Sequence, residues 1–349
     1  MKAQKDSFMS SSFAERYKDR VTVPDILYTD RRLRENVILL GLGGSMAYGT
    51  DTENSDVDIR GVALNPGREI LLGKDFEQVI DNKTDTVVYS FKKIISLLTD
   101  NNPNVLELLF LDEDQYLCMT QVGRQLIEKR DMFLSQIAYY KFGGYARAQL
   151  GKLKTKSQKL AETDVEERIL NSIRNAQASF PEKYFQYPED AIKLYVGDAG
   201  RGDEILMDLD LHGYPLRDYK CMWSEMHSVV KDYAGIGKRA KSAARRGVIE
   251  KHAMHLIRLE LLAIQLLETG TMRTHMVDDH DLLMDIRNGA FSTETGMNDE
   301  FFKMEEELSR RVDAAKERSV LPEKPNYEAI EEFVCSVNEG VIRGLAADK

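Results

Sequence analysis

Residues 37–40 form an unbroken aliphatic run, and the chain then enters Gly41-Leu42-Gly43-Gly44. A short β-branched and aliphatic run that stops at a glycine cluster reads as a buried strand followed by a tight turn. Residues 41–49 spell GLGGSMAYG. Backbone N–H groups can approach an anion closely in such a turn, so three phosphate-binding readings arise. The dinucleotide fingerprint needs glycine or alanine where Met46 stands, and it lacks its acidic residue at the end of a second strand. A P-loop needs lysine after its last glycine; Gly44 and Gly49 have the spacing, but Thr50 and Asp51 follow.

The third reading requires a small turn with a hydroxyl, then two carboxylates one residue apart on a strand. Gly44-Ser45 supplies the turn, ten residues follow, and Asp56-x-Asp58 supplies the carboxylates. Side chains i and i+2 of a strand share a face, so Asp56 and Asp58 would stand roughly 6–7 Å apart at the backbone. A hard cation between two such carboxylates relieves their repulsion, and oxygen-only ligation suits Mg²⁺. A lone D-x-D is most often a solvated pair; what singles this one out is Gly44-Ser45 at this spacing, after a strand.

The surrounding pattern is α+β. Strands are expected over residues 56–64, 69–72, 76–80 and 85–89. Phe91, Ile94, Ile95 and Leu98 make a helical stripe. Asn102-Pro103 opens another helix as N-cap and first position, continuing through residues 105–111. Beyond about residue 125 the pattern is mainly helical, with candidates at 132–153, 248–267, 281–287, 300–318 and 327–345. Turn-rich alternation over residues 191–215 reads as a hairpin inserted among these helices. The expected organisation is a first domain over 1–125 and a mainly helical second domain over 126–349.

Composition narrows the function classes. The net charge of −10 offers nucleic acid no global attraction, so such a partner would need a local basic patch. Cys118, Cys221 and Cys335 are odd in number and far apart, which argues against a disulfide framework or a zinc ribbon. The N-terminus has no apolar core of a signal peptide, and no apolar run is long enough to span a bilayer. A cytoplasmic protein without membrane partners is the expectation.

The run from Gly43 to Gly61, GGSMAYGTDTENSDVDIRG, resembles the signature of the DNA polymerase β nucleotidyltransferase superfamily. More narrowly it is similar to the predicted nucleotidyltransferases of the RlaP/YcgL type, associated with RNA repair neighbourhoods. The segments DTVVYSFKK from Asp85, NPNVLELLF from Asn102 and KHAMHLIRL from Lys251 carry the same likeness. It is strong over residues 40–115 and patchy over 140–325.

The resemblance implies a small mixed-sheet nucleotidyltransferase domain. Asp56 and Asp58 would be the first two ligands of Mg²⁺ or Mn²⁺ in a two-metal site. The third carboxylate would be Asp85, which heads the best-matching strand, with Glu107 as the alternative. Gly44, Ser45, Tyr48, Gly49 and Ser55 would hold the nucleoside triphosphate. Lys251, His255 and Arg258, at i, i+4 and i+7, share a helix face that could reach the same site; exposed cations and a satisfied histidine are the simpler reading. The reaction implied is attack of a hydroxyl on the α-phosphorus with release of pyrophosphate, the acceptor being an RNA or tRNA-like end.

Two basic clusters bear on that acceptor: Lys152, Lys154, Lys156 and Lys159, and Lys238, Arg239, Lys241, Arg245 and Arg246. Either could neutralise phosphates, and either could be a solvated helix face. Tyr139, Tyr140, Phe142 and Tyr145 could stack on bases, although such a run is more often core. His252 and His255 have the spacing of a metal pair but no acidic partner pattern, and His280-Asp281 is a bare HD dipeptide, too little to mark a phosphohydrolase site. Transfer to a small molecule or protein hydroxyl, and a silent nucleotide- or RNA-binding module, remain open beside RNA nucleotidyl transfer.

Overall fold

The computed structural model describes residues 17, 20–53, 55–161, 173–174, 177–188, 190–198, 203–224, 226–227, 248–293 and 296–344. The chain divides into two compact units, a different division from a single cut near residue 125. The first comprises Met1–Leu150, Ala253–Ala290 and Asp299–Lys349; the second comprises Gly151–His252 and Phe291–Asn298.

The first unit is built on a five-stranded mixed sheet in the order β3-β4-β2-β1-β5. Its strands are β1 (Val37–Gly43), β2 (Asp58–Ala63), β3 (Gln78–Asp81), β4 (Thr86–Ser90) and β5 (Tyr116–Met119). Every residue of β1 is buried, which is why its sequence is continuously apolar rather than alternating. It pairs antiparallel with β2 on one side and with β5 on the other. β2 runs parallel to β4, and β3 closes that edge antiparallel. The mixed α+β architecture anticipated from the sequence is present.

The connecting helices follow local signals. They are α1 (Ile26–Thr29), α2 (Gly44–Tyr48), α3 (Gly67–Leu71), α4 (Phe91–Thr99), α5 (Pro103–Leu106) and α6 (Gln121–Glu128). Ser90 caps α4 by accepting from Lys93 N, and Asn102 caps α5 by accepting from Asn104 N, with Pro103 in the first turn. Residues 69–72, expected as a strand, instead end a helix, with 69–71 helical and Leu72 its C-cap. Pro66 leads into α3, and Leu71 and Leu72 are 71% and 57% exposed. A short apolar run cannot by itself distinguish helix from strand, and these leucines have no sheet to enter. Residues 107–109 tighten into a 3₁₀ turn rather than extending α5.

The longer helices are α7 (Ile137–Ala161), α9 (Val248–Thr269), α10 (His280–Arg287), α11 (Asp299–Glu317) and α12 (Tyr327–Ile342), with the short α8 (Phe180–Lys183) between α7 and α9. The unit boundaries fall within α7 and α9. α12 closes against the sheet domain: Phe333 meets Phe91 edge-on at 6.0 Å, and Gly67 lies against the backbone of Val341 and Ile342. Backbone bonds from Gln136 to Pro322 and from Asn326 to Met132, both 2.8 Å, lace the C-terminal chain to the start of α7.

In the second unit β6 (Ile192–Asp198) and β7 (Asp203–Leu209) pair antiparallel, the hairpin expected near residues 191–215. Ile192 and Leu194 join Ile173, Phe180, Tyr184 and Met226 in a small core. The basic cluster from Lys238 to Arg246 lies outside the described residues, as do the side chains of Lys152, Lys154, Lys156 and Lys159.

Candidate active site

The antiparallel register of β1 and β2 pairs Gly43 with Asp58. This closes the sequence gap between the glycine turn and the D-x-D pair. Gly43 is extended, Gly44 has φ +57°, α2 makes a little over one turn, and Gly49 leaves it with φ +69°. Positive φ at both corners favours glycine. Gly44 is required for a second reason: a Cβ there would fall within the Asp58 carboxyl group. A Cβ on Gly43 would in turn stand 3.2 Å from Arg60 Cγ. The bare glycines make the cradle that receives the carboxylate, and half-buried Ser45 follows directly.

Asp58 opens β2, and exposed Asp56 precedes the strand rather than lying within it. The Asp58 carboxylate accepts from Arg60 Nη2 at 3.0 Å, and Arg60 Nη1 donates to Asp85 O at 2.7 Å. The parallel register pairs Ile59 with Thr86, and Ile59 N donates to Asp85 O at 3.2 Å. Asp85 therefore heads β4 beside Asp58, exposed and with φ +47°. Among the described residues no three acidic, histidine or cysteine side chains converge closely enough to chelate an ion by themselves. The donor chemistry is all oxygen at Asp56, Asp58 and Asp85. A metal that completes its shell with water and substrate phosphates needs only one or two carboxylates.

Beneath the turn lies a buried polar cluster. The Tyr48 hydroxyl donates to Glu107 Oε2. The Arg258 guanidinium stacks 3.5 Å from the Tyr48 ring centroid, and its Nη2 lies 2.7 Å from His255 Nδ1. Arginine can only donate, so Nδ1 accepts and His255 carries its proton on Nε2. Burial pushes the Glu107 carboxyl up; the Arg258 cation and the Tyr48 hydrogen bond pull it down, and the charge of Asp58 adds to the upward side. Burial likewise raises Tyr48 well above a free phenol. Arg258 Nε is buried and has no hydrogen-bond partner among the described residues. The structure thus joins Tyr48, His255 and Arg258 in one cluster, while exposed Lys251 falls in the other unit.

The loop between the turn and Asp56 is held by residues that sequence reasoning missed. Arg287 Nη1 donates to Thr50 O at 2.7 Å, and Nη2 donates to Ser55 Oγ at 3.1 Å. Ser55 Oγ also accepts from Thr52 N at 2.8 Å, so Ser55 is an internal staple of the loop. His280 Nε2 donates to Gly49 O at 3.1 Å, and His275, paired with Asp112 at 3.2 Å, packs where a Gly49 Cβ would stand. Gln115 Nε2 reaches Met46 O and Ala47 O, each at 3.2 Å, and anchors α2 from below. The only sequence signal for this clamp was the isolated His280-Asp281 dipeptide.

Of the aromatic run, Phe142 is core, Tyr139 donates to Asp313 at 2.8 Å, and Tyr145 accepts from Asn102 Nδ2 at 3.4 Å. Tyr140 is exposed. The three cysteines are free thiols. Among the described residues no helix is long and apolar enough to cross a membrane.

Residues 20–167 match the model of a family described as the RlaP RNA repair pathway DNA polymerase β family. Over that span the chain is similar to the polymerase β-like nucleotidyltransferases. That span contains the Gly44 turn, Asp58, β4 and Glu107. The chain is 25% identical over 280 residues to an uncharacterised 38.9 kDa protein of the nrdC–mobD intergenic region of Enterobacteria phage T4, covering 70% of this chain and 81% of that protein. No solved structure matches the chain.

Proposed function

We propose that the protein transfers a nucleotidyl group from a nucleoside triphosphate to a hydroxyl, the acceptor being an RNA end. The observation that carries this reading is the fit of the Asp58 carboxylate into the cradle left open at Gly44, beside Ser45 and next to Asp85 O on the neighbouring strand. An oxygen-only donor set beside a glycine turn that opens a helix suits Mg²⁺ or Mn²⁺ carrying a triphosphate. The RNA acceptor rests on the family's description as an RNA repair family.

Asp56 and Asp58 would hold the metal, and Asp85 is the third carboxylate. Glu107 is the weaker choice because its carboxylate is buried and committed to Tyr48. When bound, divalent metal would neutralise triphosphate charge and ease loss of the acceptor proton. The acceptor oxygen forms a bond to the α-phosphorus, the bond to the bridging oxygen of the β-phosphate breaks, and pyrophosphate leaves. Asp85 receives the proton. Gly44, Ser45 and Gly49 shape the phosphate turn; Ser55 fixes the loop that delivers Asp56. Tyr48, His255 and Arg258 act from beneath, buttressing α2.

Incubation with each α-³²P-labelled triphosphate, with and without RNA bearing free 3′-hydroxyls, tests this. Label in RNA that disappears in Asp56→Ala is the expected result. Label on a small molecule or on the protein would move the acceptor and keep the chemistry. Triphosphate binding without pyrophosphate release would identify a silent binding module.

A further inference from the structure

A second candidate site lies among α7, α9 and α11, in a cavity of about 40 Å³. Glu260 stands in its wall, only 5% exposed, and its Oε2 is buried without a hydrogen-bond partner among the described residues. Two more carboxylates line the same space, Glu305 and Asp313; Ser309 and Tyr139 add oxygens, and Arg147 is the cation among the described lining residues. Asp313 already accepts from the Tyr139 hydroxyl. The Arg147 guanidinium runs along Gly143, 3.5 Å from where a Cβ would stand.

A buried carboxylate oxygen with no partner is costly. Burial and the charge of Glu305 push the Glu260 carboxyl up to about 8, as expected where the charged form lacks compensation. The donors are oxygens, which suits a hard cation or an ammonium group and not a thiophilic metal. The volume admits about one ion or one or two waters. A chelated divalent ion is disfavoured, since no three metal-type side chains converge among the described residues.

We propose that this cavity binds one small monovalent cation, either an alkali-metal ion or a primary ammonium head, against Glu260. The site is separate from the nucleotidyl-transfer reading and stands or falls independently of it.

Thermal unfolding of the full chain tests the proposal, at constant ionic strength and at a pH above about 8 where Glu260 is ionised. Potassium or methylammonium chloride should raise Tm saturably, and tetramethylammonium chloride, too large to enter, should not. The alkali and amine arms separate the two sources of the ligand. Glu260→Gln, which removes the buried charge while keeping the shape, should abolish the response; Glu305→Gln should weaken it. Crystals grown in rubidium chloride give a reading that needs no variant, an anomalous peak against Glu260. Equal responses to tetramethylammonium, an unchanged response in Glu260→Gln, or no rubidium peak together with no response to methylammonium would overturn the proposal. So would a wild type that ignores cations beside an Arg147→Gln variant that responds, because Arg147 would then be the occupant.

Discussion

A Cβ on Gly44 would occupy the space of the Asp58 carboxyl group. The glycine turn and the first strand carboxylate are therefore one mechanical unit, set by the pairing of Gly43 with Asp58. Gly44→Ala should lower stability by about 1–3 kcal/mol, from the unfavourable φ and the displaced carboxylate together. Nucleotidyl transfer should be lost in the same variant. Urea denaturation and the label-transfer assay read the two effects, and a fully active Gly44→Ala protein would contradict the cradle.

Tyr48→Phe removes the hydroxyl that donates to Glu107 Oε2 in the buried cluster. The expected cost is about 1–3 kcal/mol of folding free energy. Glu107→Gln in the Tyr48→Phe background should recover part of it, because the buried charge is gone. A double-mutant cycle measures that coupling, and additive single effects would count against it.

Arg287 holds Thr50 O and Ser55 Oγ across the loop that leads to Asp56. Arg287→Met should leave the fold intact and lower kcat/KM about ten- to a hundred-fold, the scale of losing charge-assisted hydrogen bonds. Hydrogen exchange over residues 49–55 should accelerate in the variant. Unchanged exchange there would show that Arg287 is not the clamp.

Glu260 gives a signed pH dependence. Its carboxyl is raised from 4.5 to about 8, chiefly by burial and then by Glu305, with Asp313 and Arg147 also lining its cavity. Below 4.5 both folded and unfolded states hold the proton, so the contribution is fully present. As pH rises, the unfolded state releases the proton first, and stability falls until the folded carboxyl also ionises near 8. Denaturation midpoints across this window should show a slope in the wild type that flattens in Glu260→Gln. Parallel profiles would contradict the assignment.

The part of the site legible in the sequence was the part encoded locally. The aliphatic run into glycines marked β1 and its turn, and the D-x-D spacing marked the start of β2. Asn102-Pro103 marked the start of α5, where Asn102 is the N-cap and Pro103 the first helical residue. What could not be read was long-range. Arg287 and Thr50 are 237 positions apart, and His280 and Gly49 are 231 apart. No periodicity links such pairs, so His280 looked like a bare dipeptide. Glu107 was visible as a helical glutamate, but its burial beneath Tyr48 and Arg258 follows from tertiary packing. Residues 69–72 misled because an apolar run of that length fits either element.

The central claim is that Asp58, seated against Gly44, holds the reacting centre of a nucleotidyl transfer. Single-turnover transfer of α-³²P label to RNA by the wild type and by Asp58→Asn tests it most directly, since asparagine keeps the shape and can still pair with Arg60. The account predicts an equal unfolding midpoint and a rate lower by on the order of a hundred- to a thousand-fold, the scale of removing one electrostatic group at a reacting centre. A variant that transfers label at the wild-type rate would contradict it.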